Sequence, residues 1–308
     1  MQNHLQQISY KDVKINILRL DILRAEVQGN KYFKLKYNLQ QAKELKLETL
    51  LTFGGEYSNH IHATAIAGKK AGFKTIGIIR GDELEIPTST LQDATHNGMK
   101  IFYLNRTDFR IARKLVNENN LAEFYEILNR NEIQIDRNKT YVIPEGGTNT
   151  LALKGTSEIL DFAKEIDYKT VCCTIGTAGT IAGIISSVDK DKHILGFPAL
   201  KGNFFEKEIT HLLTNFNNET YTNWKLKHDY HFKEFGNFNE ALIDFINSFY
   251  ETYRIPLCTL YTGKMFFGIF DMIDKGLLSN EDKLLAIHTG GLQGREAFNE
   301  KNGDLLIL

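Results

Sequence analysis

Three short segments carry residue types that could do chemistry together. The first, Gly29-Asn30-Lys31, places a lysine at the start of a predicted helix. The positive end of the helix dipole disfavours an ammonium ion there. An amine held in its neutral form can condense with a carbonyl group. The sequence therefore makes Lys31 the candidate nucleophile.

The second segment is a glycine-rich loop at residues 176–180, between a predicted buried strand and a predicted helix. Its glycines let the backbone approach a ligand, and the free amides of a helix start favour an anion. Threonine hydroxyls can add donors. The segment lacks the Lys-Ser/Thr of a P-loop and the G-x-G-x-x-G of dinucleotide sites. It predicts a site for a single phosphate group, although a plain helix-start turn can have the same pattern. The residues are Gly176, Thr177, Ala178, Gly179 and Thr180.

The third segment, residues 54–60, reads Gly-Gly-Glu-Tyr-Ser-Asn-His. Ser58 or Asn59 could simply cap the helix that follows. In the functional interpretation, Asn59 hydrogen bonds to a cofactor ring hydroxyl and Ser58 binds a substrate carboxylate. His60 and His62 would point away from each other on a helix, so we do not expect a shared metal.

Two further glycine-marked junctions lie near the C-terminal end. Tyr261 could act as an acid or contact a cofactor ring, and Thr289 could hydrogen bond to a pyridine nitrogen. A hydroxyl in place of a carboxylate would leave that ring less strongly electron-withdrawing. One amine, one polar turn and one anion site are the parts needed to hold an aldehyde that carries a phosphate. The combination indicates pyridoxal phosphate as the cofactor.

The composition fits a globular enzyme and argues against several other classes. The 308 residues are 42% hydrophobic and 24% charged, with a formal net charge of −1. The chain lacks the excess of basic residues that is typical of nucleic-acid-binding proteins. It also lacks a run of apolar residues long enough to span a membrane. The first ten residues lack the apolar stretch of a signal peptide. Three cysteines are too few for a disulfide framework. We expect a cytoplasmic protein.

The elements that must position these residues alternate along the chain. Helical periodicity marks a buried face at Leu35, Leu39, Ala42 and Leu45, and further helices are predicted near 61–71, 238–253 and 263–275. Short apolar runs between the helices predict nine strands. These are 16–20, 49–53, 75–79, 100–104, 140–143, 170–174, 193–197, 225–230 and 283–288.

Strands that are apolar throughout, each followed by a helix, are typical of parallel sheets covered on both faces. Nine strands fit two open, twisted sheets better than one. We therefore predict an α/β protein with two α/β/α domains. Residues 37–146 would form the smaller domain, and residues 1–36 with 147–308 the larger, cofactor-binding one. Ligands of such sheets gather beyond the carboxyl ends of the strands, which places the cofactor in the cleft between the domains.

These segments, in this order, resemble the family of 1-aminocyclopropane-1-carboxylate deaminase and D-cysteine desulfhydrase, pyridoxal-phosphate enzymes of the tryptophan synthase β type. The resemblance runs from Leu-Arg-Leu-Asp at 18–21 to Gly-Gly at 290–291. Its most specific motif is Gly-Asn-Lys followed by Lys-Leu, at 29–35. It implies the pyridoxal-phosphate fold type II, with Lys31 as the lysine that bonds to the cofactor.

Other motifs match the same family. The segment 54–60 is similar to the turn that meets the cofactor ring and the substrate carboxylate, and 175–180 is similar to the phosphate loop. Pro-Glu-Gly-Gly at 144–147 and Tyr-Thr-Gly-Lys at 261–264 also match, so Tyr261 would be one of two active-site tyrosines. The resemblance implies that Tyr57, Ser58, Asn59 and His60 contact the substrate.

One position departs from the family. The deaminases have a second tyrosine two residues before the histidine of the His-x-Gly-Gly turn, where this chain has Ala286. Losing that phenol argues against cyclopropane ring opening, although Tyr57 could supply a substitute from the other side. His60 matches the desulfhydrases, since the deaminases have glutamine there.

The resemblance implies β-elimination from a small amino acid such as D-cysteine, giving an α-keto acid and ammonia. Family members tend to pair, so we expect a homodimer. Two alternatives remain open. One is a different activity of the same fold type, either a racemase or a dehydratase of hydroxy-amino acids. The other is a non-catalytic protein that binds a phosphorylated ligand.

Overall fold

A computed structural model describes residues 4–23, 27, 29–233 and 236–308. Its strands are β1 Leu5–Tyr10, β2 Val13–Arg19, β3 Thr49–Gly54, β4 Lys74–Arg80, β5 Met99–Leu104, β6 Thr140–Val142, β7 Thr170–Ile175, β8 His193–Pro198, β9 Trp224–Leu226 and β10 Leu284–His288.

The helices cover both faces of the sheets. They are α1 Leu20–Leu23, α2 Asn30–Glu44, α3 Asn59–Ala71, α4 Ser89–His96, α5 Arg106–Asn117, α6 Leu121–Arg130, α7 Thr150–Thr156, α8 Gly179–Ser187, α9 Phe205–Asn217, α10 Glu240–Tyr253, α11 Thr262–Asp274 and α12 Gly294–Asn302. Short 3-10 turns occur at Glu145–Gly147, Ile159–Ala163, His228–Tyr230 and Asn280–Asp282.

The strands form two sheets, as predicted. The larger has the order β1-β2-β10-β7-β8-β9 and the smaller the order β5-β4-β3-β6. All neighbouring strands run parallel except β1 and β2, which form an antiparallel pair. The predicted α/β architecture with two parallel sheets is confirmed.

The prediction was wrong about two strands. It missed β1, whose sequence Leu-Gln-Gln-Ile-Ser-Tyr buries only Ile8 and so lacks a continuous apolar run. It also made β9 too long, because the chain leaves the sheet after Leu226 and turns into the 3-10 helix His228–Tyr230. Tyr230 is buried there against Phe197, which explains its apolar signal.

Helices pack on both faces of the larger sheet. On one face, Phe249 of α10 and Ile269 of α11 join the core, and on the other face Ile184 of α8 and Phe205 of α9 do so. All six residues of β7 and all five of β10 are buried. Such strands read as unbroken apolar runs, which is why the sequence revealed them.

The four strands of the smaller sheet all lie between residues 49 and 142, inside the predicted domain 37–146. Helix α2 crosses the predicted boundary near residue 36, and it packs closely on α7 of the larger unit. A Cβ on Gly155 would lie 1.9 Å from the carbonyl oxygen of Phe33, so only glycine allows this approach. The domain boundaries stay a prediction. In the described part of the chain, no helix combines the length and apolar character needed to cross a membrane.

Candidate active site

A cleft of about 1820 Å³ runs along the carboxyl ends of both sheets. The segments that follow β3, β7 and β10 all open into it, as expected for parallel strands. The structure brings the predicted site residues together here, while their roles stay predictions. The cleft is lined by Lys31, Tyr57, Ser58, Asn59, His60, Gly176, Thr177, Ala178, Thr180, Tyr261 and Thr289.

Lys31 is the second residue of α2, and the turn before it is fixed to the end of β10. Gly29 has a φ of 72°, and a Cβ there would lie 2.0 Å from the carbonyl oxygen of Thr289. The same oxygen accepts a hydrogen bond of 3.0 Å from the Asn30 amide. Only glycine tolerates both the backbone angle and the close approach. The turn therefore holds Lys31 beside Thr289.

The Lys31 amine is half-buried in a polar part of the cleft. Its Nζ donates to Asn30 Oδ1 at 3.1 Å, and Asn30 Nδ2 donates to Thr180 Oγ1 at 2.8 Å. Burial lowers the pKa of Lys31 to about 8, with Cys258 opposing the shift. Burial disfavours the charged form of an amine. A sizeable fraction of Lys31 is therefore neutral near neutral pH.

This pKa predicts how fast Lys31 captures an aldehyde at different pH. The amine reacts only when neutral, so the rate constant with pyridoxal phosphate should rise about tenfold per pH unit below the pKa and level off above about pH 8. Stopped-flow absorbance of cofactor-free protein would measure it. The Lys31→Ala variant should lack the phase altogether. A rate that stays flat as the pH rises toward 8 would contradict the assignment.

The glycine-rich loop has the geometry of an anion site. Ala178 adopts a left-handed conformation with a φ of 58°, immediately before the first residue of α8. Gly179 does not line the cleft but packs behind the loop, where a Cβ would lie 2.9 Å from Thr148 Cγ2 and 3.1 Å from Lys34 Cε. Glycine thus lets the loop approach a buried lysine.

That lysine, Lys34, is a candidate functional residue that the sequence analysis did not single out. Its side chain is fully buried, and its Nζ lies 2.7 Å from the Gly146 carbonyl, 2.8 Å from Thr148 Oγ1 and 3.0 Å from Thr177 Oγ1. Burial, helped by the charge of Lys31, lowers the pKa of Lys34. A signal was present, because Lys31 and Lys34 are three residues apart and so share one helix face.

These donors fit pyridoxal phosphate. A lysine amine, threonine hydroxyls and the first amides of a helix together suit a phosphate dianion. An anion at the loop would also favour the charged form of Lys34. Lys31, with its lowered pKa, suits the aldehyde. Thr289 also lines the cleft, and its Oγ1 is 3.2 Å from Thr174 Oγ1.

Replacing Lys34 with methionine is expected to weaken pyridoxal phosphate binding about ten- to hundredfold, because a hydrogen bond to a charged group contributes about 1.5–3 kcal/mol. Fluorescence titration of cofactor-free protein would measure the dissociation constant. Lys36→Met is the matched control, since Lys36 is exposed on the same helix and pairs with Glu158. An unchanged constant for Lys34→Met would mean that Lys34 only holds the loop.

In the structure, Ser58 caps the N-terminus of α3. Its Oγ accepts hydrogen bonds of 3.3 Å from the amides of His60 and Ile61 at the start of α3. Asn59 instead reaches across the cleft, where its Oδ1 accepts a hydrogen bond of 2.5 Å from Gln293 Nε2. This hydrogen bond links the start of α3 to the residue before α12. The proposed contacts of Ser58 and Asn59 with ligands stay predictions.

The His60 side chain is buried beneath the site. Thr52 Oγ1 donates to the Ile143 carbonyl at 2.9 Å, so it can only accept from His60 Nε2, at 2.7 Å. Burial lowers the pKa of His60, which keeps the ring neutral. The ring packs against Gly147, where a Cβ would lie 2.8 Å from His60 Cε1. A substrate contact of His60 stays a prediction. Within the described residues, no group of three or more His, Cys, Asp and Glu side chains could hold a metal ion.

Three phenols line the cleft, those of Tyr57, Tyr141 and Tyr261. The Tyr261 ring lies against the glycine-rich loop, since a Cβ on Gly176 would be 3.1 Å from its Cε1. Burial, with Cys258 and Glu145 adding to it, raises the pKa of Tyr261, so the phenol keeps its proton. Tyr57 is half-buried, with the Lys301 amine 5.4 Å from its ring centre. Ala286 is fully buried in the core of the larger sheet.

Comparisons with known proteins agree with this arrangement. No family model matches the chain. A protein of Pyrococcus horikoshii named "Putative 1-aminocyclopropane-1-carboxylate deaminase" is 29% identical over 306 residues, covering 95% of this chain and 89% of that protein. A protein of Pyrococcus abyssi with the same name is 27% identical over 311 residues, covering 96% and 89%.

Solved structures show the same architecture. The crystal structure of an ACC deaminase homologue matches with a TM-score of 0.80 at 27% identity, covering 96% of this chain and 89% of that one. A fungal L-serine ammonia-lyase from Rhizomucor miehei matches with a TM-score of 0.64 at 13% identity, covering 94% and 93%, and so shares the fold. The curated relatives and the ACC deaminase homologue confirm the predicted resemblance and an enzyme of the lyase or deaminase type that depends on pyridoxal phosphate. Both solved structures confirm the fold type II architecture.

Proposed function

We propose that this enzyme removes a β-substituent from a small amino acid and releases an α-keto acid and ammonia. With D-cysteine as substrate, the amino acid and water would give pyruvate, ammonia and hydrogen sulfide. The observation that carries the proposal is the half-buried amine of Lys31, with a pKa of about 8, in the same cleft as a phosphate-type loop. Lys34 and Thr177 complete that loop.

In this reaction each residue of the site has a separate role. Bound pyridoxal phosphate would stabilise negative charge at the substrate α-carbon. Lys31, when neutral, accepts the α-proton at its Nζ. Ser58 and the amides near it hold the substrate carboxylate, which orients the bond to be broken. The Tyr261 phenol keeps its proton because its pKa is raised, and so can donate it to a leaving group.

Ala286 is the reason that we favour elimination over cyclopropane ring opening. The structure buries this position in the core of the larger sheet, so its methyl group offers no acid or base to the cleft. Tyr57 and Tyr141 are the other phenols that line the cleft among the described residues, and the Tyr141 hydroxyl donates to Asn38 Oδ1 at 3.2 Å. If ring opening occurs, we expect it to depend on Tyr57.

A product assay tests the proposed function. Purified, cofactor-loaded enzyme is incubated with D-cysteine, L-cysteine, D-serine and 1-aminocyclopropane-1-carboxylate, and sulfide, keto acid, ammonia and stereoisomers are measured. We expect sulfide, pyruvate and ammonia in equal amounts from D-cysteine. A stereoisomer without ammonia would indicate a racemase, and keto acid from serine alone a dehydratase. No product from any of them, in a protein that still binds the cofactor, would support a binding protein.

We also propose that the enzyme is a homodimer and works in the cytoplasm. The three cysteines are free and buried, which suits a reducing compartment. Sedimentation velocity would test the assembly, since one chain has a mass of 35.2 kDa. A single species of that mass at micromolar concentration would contradict the dimer.

A further inference from the structure

Three charged side chains are buried together behind the candidate active site. Arg19 at the end of β2, Asp21 in α1 and His288 at the end of β10 are each 5% exposed or less, and we call them the charged cluster. Arg19 Nε and Nη2 donate to the two carboxylate oxygens of Asp21 at 2.8 Å and 2.6 Å. His288 Nδ1 lies 3.0 Å from Asp21 Oδ1. Buried charges are costly unless paired in this way.

The hydrogen bonds assign the protonation state of His288. Its Nε2 lies 2.8 Å from the carbonyl oxygen of Pro256, which can only accept, so Nε2 carries a hydrogen. Its Nδ1 faces Asp21, whose two oxygens already accept from a guanidinium and which is therefore ionised. The Gly290 amide is 3.3 Å from the same Nδ1. An unprotonated Nδ1 could accept from the Gly290 amide, but its lone pair would then face the Asp21 carboxylate oxygen at 3.0 Å. Losing the charge-assisted hydrogen bond to Asp21 costs more free energy than losing the longer contact with Gly290.

His288 is therefore an imidazolium ion with both nitrogens protonated, and the charged cluster has a net charge of +1. The pKa of the Asp21 carboxyl group agrees with these charges. Burial alone would raise the pKa of Asp21, but His288 and Arg19 outweigh burial and hold that pKa below its usual value. Arg19 makes one further contact, a hydrogen bond of 2.5 Å from Nη1 to Gln6 Oε1.

The charged cluster connects segments that carry candidate site residues. His288 is followed directly by Thr289, and through Asp21 it holds the short helix α1. The carbonyl oxygen of Leu20 in that helix accepts a hydrogen bond of 3.2 Å from the Gly29 amide. Gly29 belongs to the turn that places Lys31. The cluster thus holds in place the segments that precede Lys31 and Thr289.

The other side of the imidazolium supports a third segment. By donating to the Pro256 carbonyl, His288 fixes the segment that leads to Tyr261. Arg295 helps, because its Nη1 donates to the next carbonyl, that of Leu257, at 2.5 Å. The same segment is hydrogen bonded to the start of α11, because the Cys258 amide donates to Thr262 Oγ1 at 2.9 Å. The segments before Lys31, Tyr261 and Thr289 therefore all meet at one charged group.

We propose that the charged cluster positions Lys31, Tyr261 and Thr289 relative to one another for the reaction proposed above, on which this inference rests. Its three members touch no reacting atom, so they are positioning residues. An imidazolium is suited to the task because it donates two hydrogen bonds in opposite directions with a fixed geometry. A neutral ring has one donor and would release either Asp21 or Pro256.

Nuclear magnetic resonance of the cofactor-free protein tests the protonation directly. In protein labelled with ¹⁵N-histidine, His288 should show both ring nitrogens protonated. Its signal among the nine histidines is identified by its loss in His288→Gln. Asp21→Asn should convert the ring to a neutral tautomer. A neutral His288 in the wild-type protein would overturn the proposal.

Kinetics of the loaded enzyme test the positioning. Displacing catalytic groups by about 1 Å can cost roughly a hundredfold in rate. Asp21→Asn and His288→Gln should therefore lower kcat about ten- to hundredfold, with KM within about twofold and cofactor content unchanged. Phe124→Leu in α6 is the control, since it loses buried apolar contacts beside the smaller sheet, away from the cluster. It should lower the melting temperature but leave kcat unchanged.

The outcomes separate this inference from the proposed function. Full kcat in either folded cluster variant would overturn the positioning role. If the wild-type protein binds no pyridoxal phosphate, the proposed function fails, while the resonance measurement still decides the state of His288. Should Asp21→Asn not fold, His288→Gln, which keeps a donor for Pro256, carries the kinetic test. Equal kcat losses in Phe124→Leu and His288→Gln would also count against positioning.

Discussion

Replacing Lys31 with alanine is expected to abolish both the visible absorbance of the bound cofactor and turnover. Lys31 supplies an amine whose pKa, lowered by burial to about 8, favours condensation with an aldehyde. We do not expect Lys34 to take its place, because Lys34 is held by three hydrogen bonds beside the glycine-rich loop. The visible spectrum and the product assay measure the two effects in one preparation.

Borohydride reduction followed by peptide mass spectrometry identifies the lysine that is bonded to the cofactor. The wild-type protein should carry the reduced cofactor on the peptide that contains Lys31, and Lys31→Ala should carry none. Lys43→Ala is the matched control, because Lys43 is exposed on the same helix and should remain labelled and active. Turnover that survives in Lys31→Ala, or a label on another lysine, would reject the role.

The local motifs explain why so much of the site could be predicted from the sequence. Gly29 and the glycines at 176 and 179 mark places where the backbone must approach something closely, and the structure shows Thr289, Tyr261 and Thr148 there. Buried parallel strands are equally visible, because both of their faces are apolar. Together these two signals predicted the sheets and the edge at which the site lies.

Other features depend on tertiary packing, and local sequence patterns indicate them only weakly. Lys34 reads as one more surface charge among the 37 Lys and Arg residues, yet its amine is buried at the loop. The cap of α3 could have been Ser58 or Asn59, and only the position of Gln293 shows why Asn59 turns away.

The charged cluster illustrates the same limit at longer range. Its members come from residues 19, 21 and 288, which the parallel pairing of β2 with β10 brings together. In that register His288 lies beside Arg19, and the carboxylate that pairs with both follows two residues later in α1. The sequence shows Arg-Leu-Asp and His-Thr-Gly-Gly as separate motifs. Their partnership follows from the strand order, which no local pattern encodes.

Replacing Tyr261 with phenylalanine should lower kcat for D-cysteine by roughly 10²–10⁴, the usual contribution of a general acid. The pKa of Tyr261 is raised by burial, so the phenol remains protonated at the pH of the assay and can donate to the departing sulfur. The side chain that replaces it keeps the ring against Gly176. Cofactor content, read from the visible spectrum, should not change.

The leaving group distinguishes proton donation from packing. Chloride departs without a proton, so the elimination of chloride from β-chloro-D-alanine should be nearly as fast in Tyr261→Phe as in the wild type. Tyr57→Phe is the matched control, since Tyr57 also lines the cleft, and it should retain activity with D-cysteine. Equal losses with both substrates in Tyr261→Phe would show that the ring only shapes the site. A loss confined to Tyr57→Phe would move the acid to the opposite wall of the cleft, because the two phenols are held by different sheets.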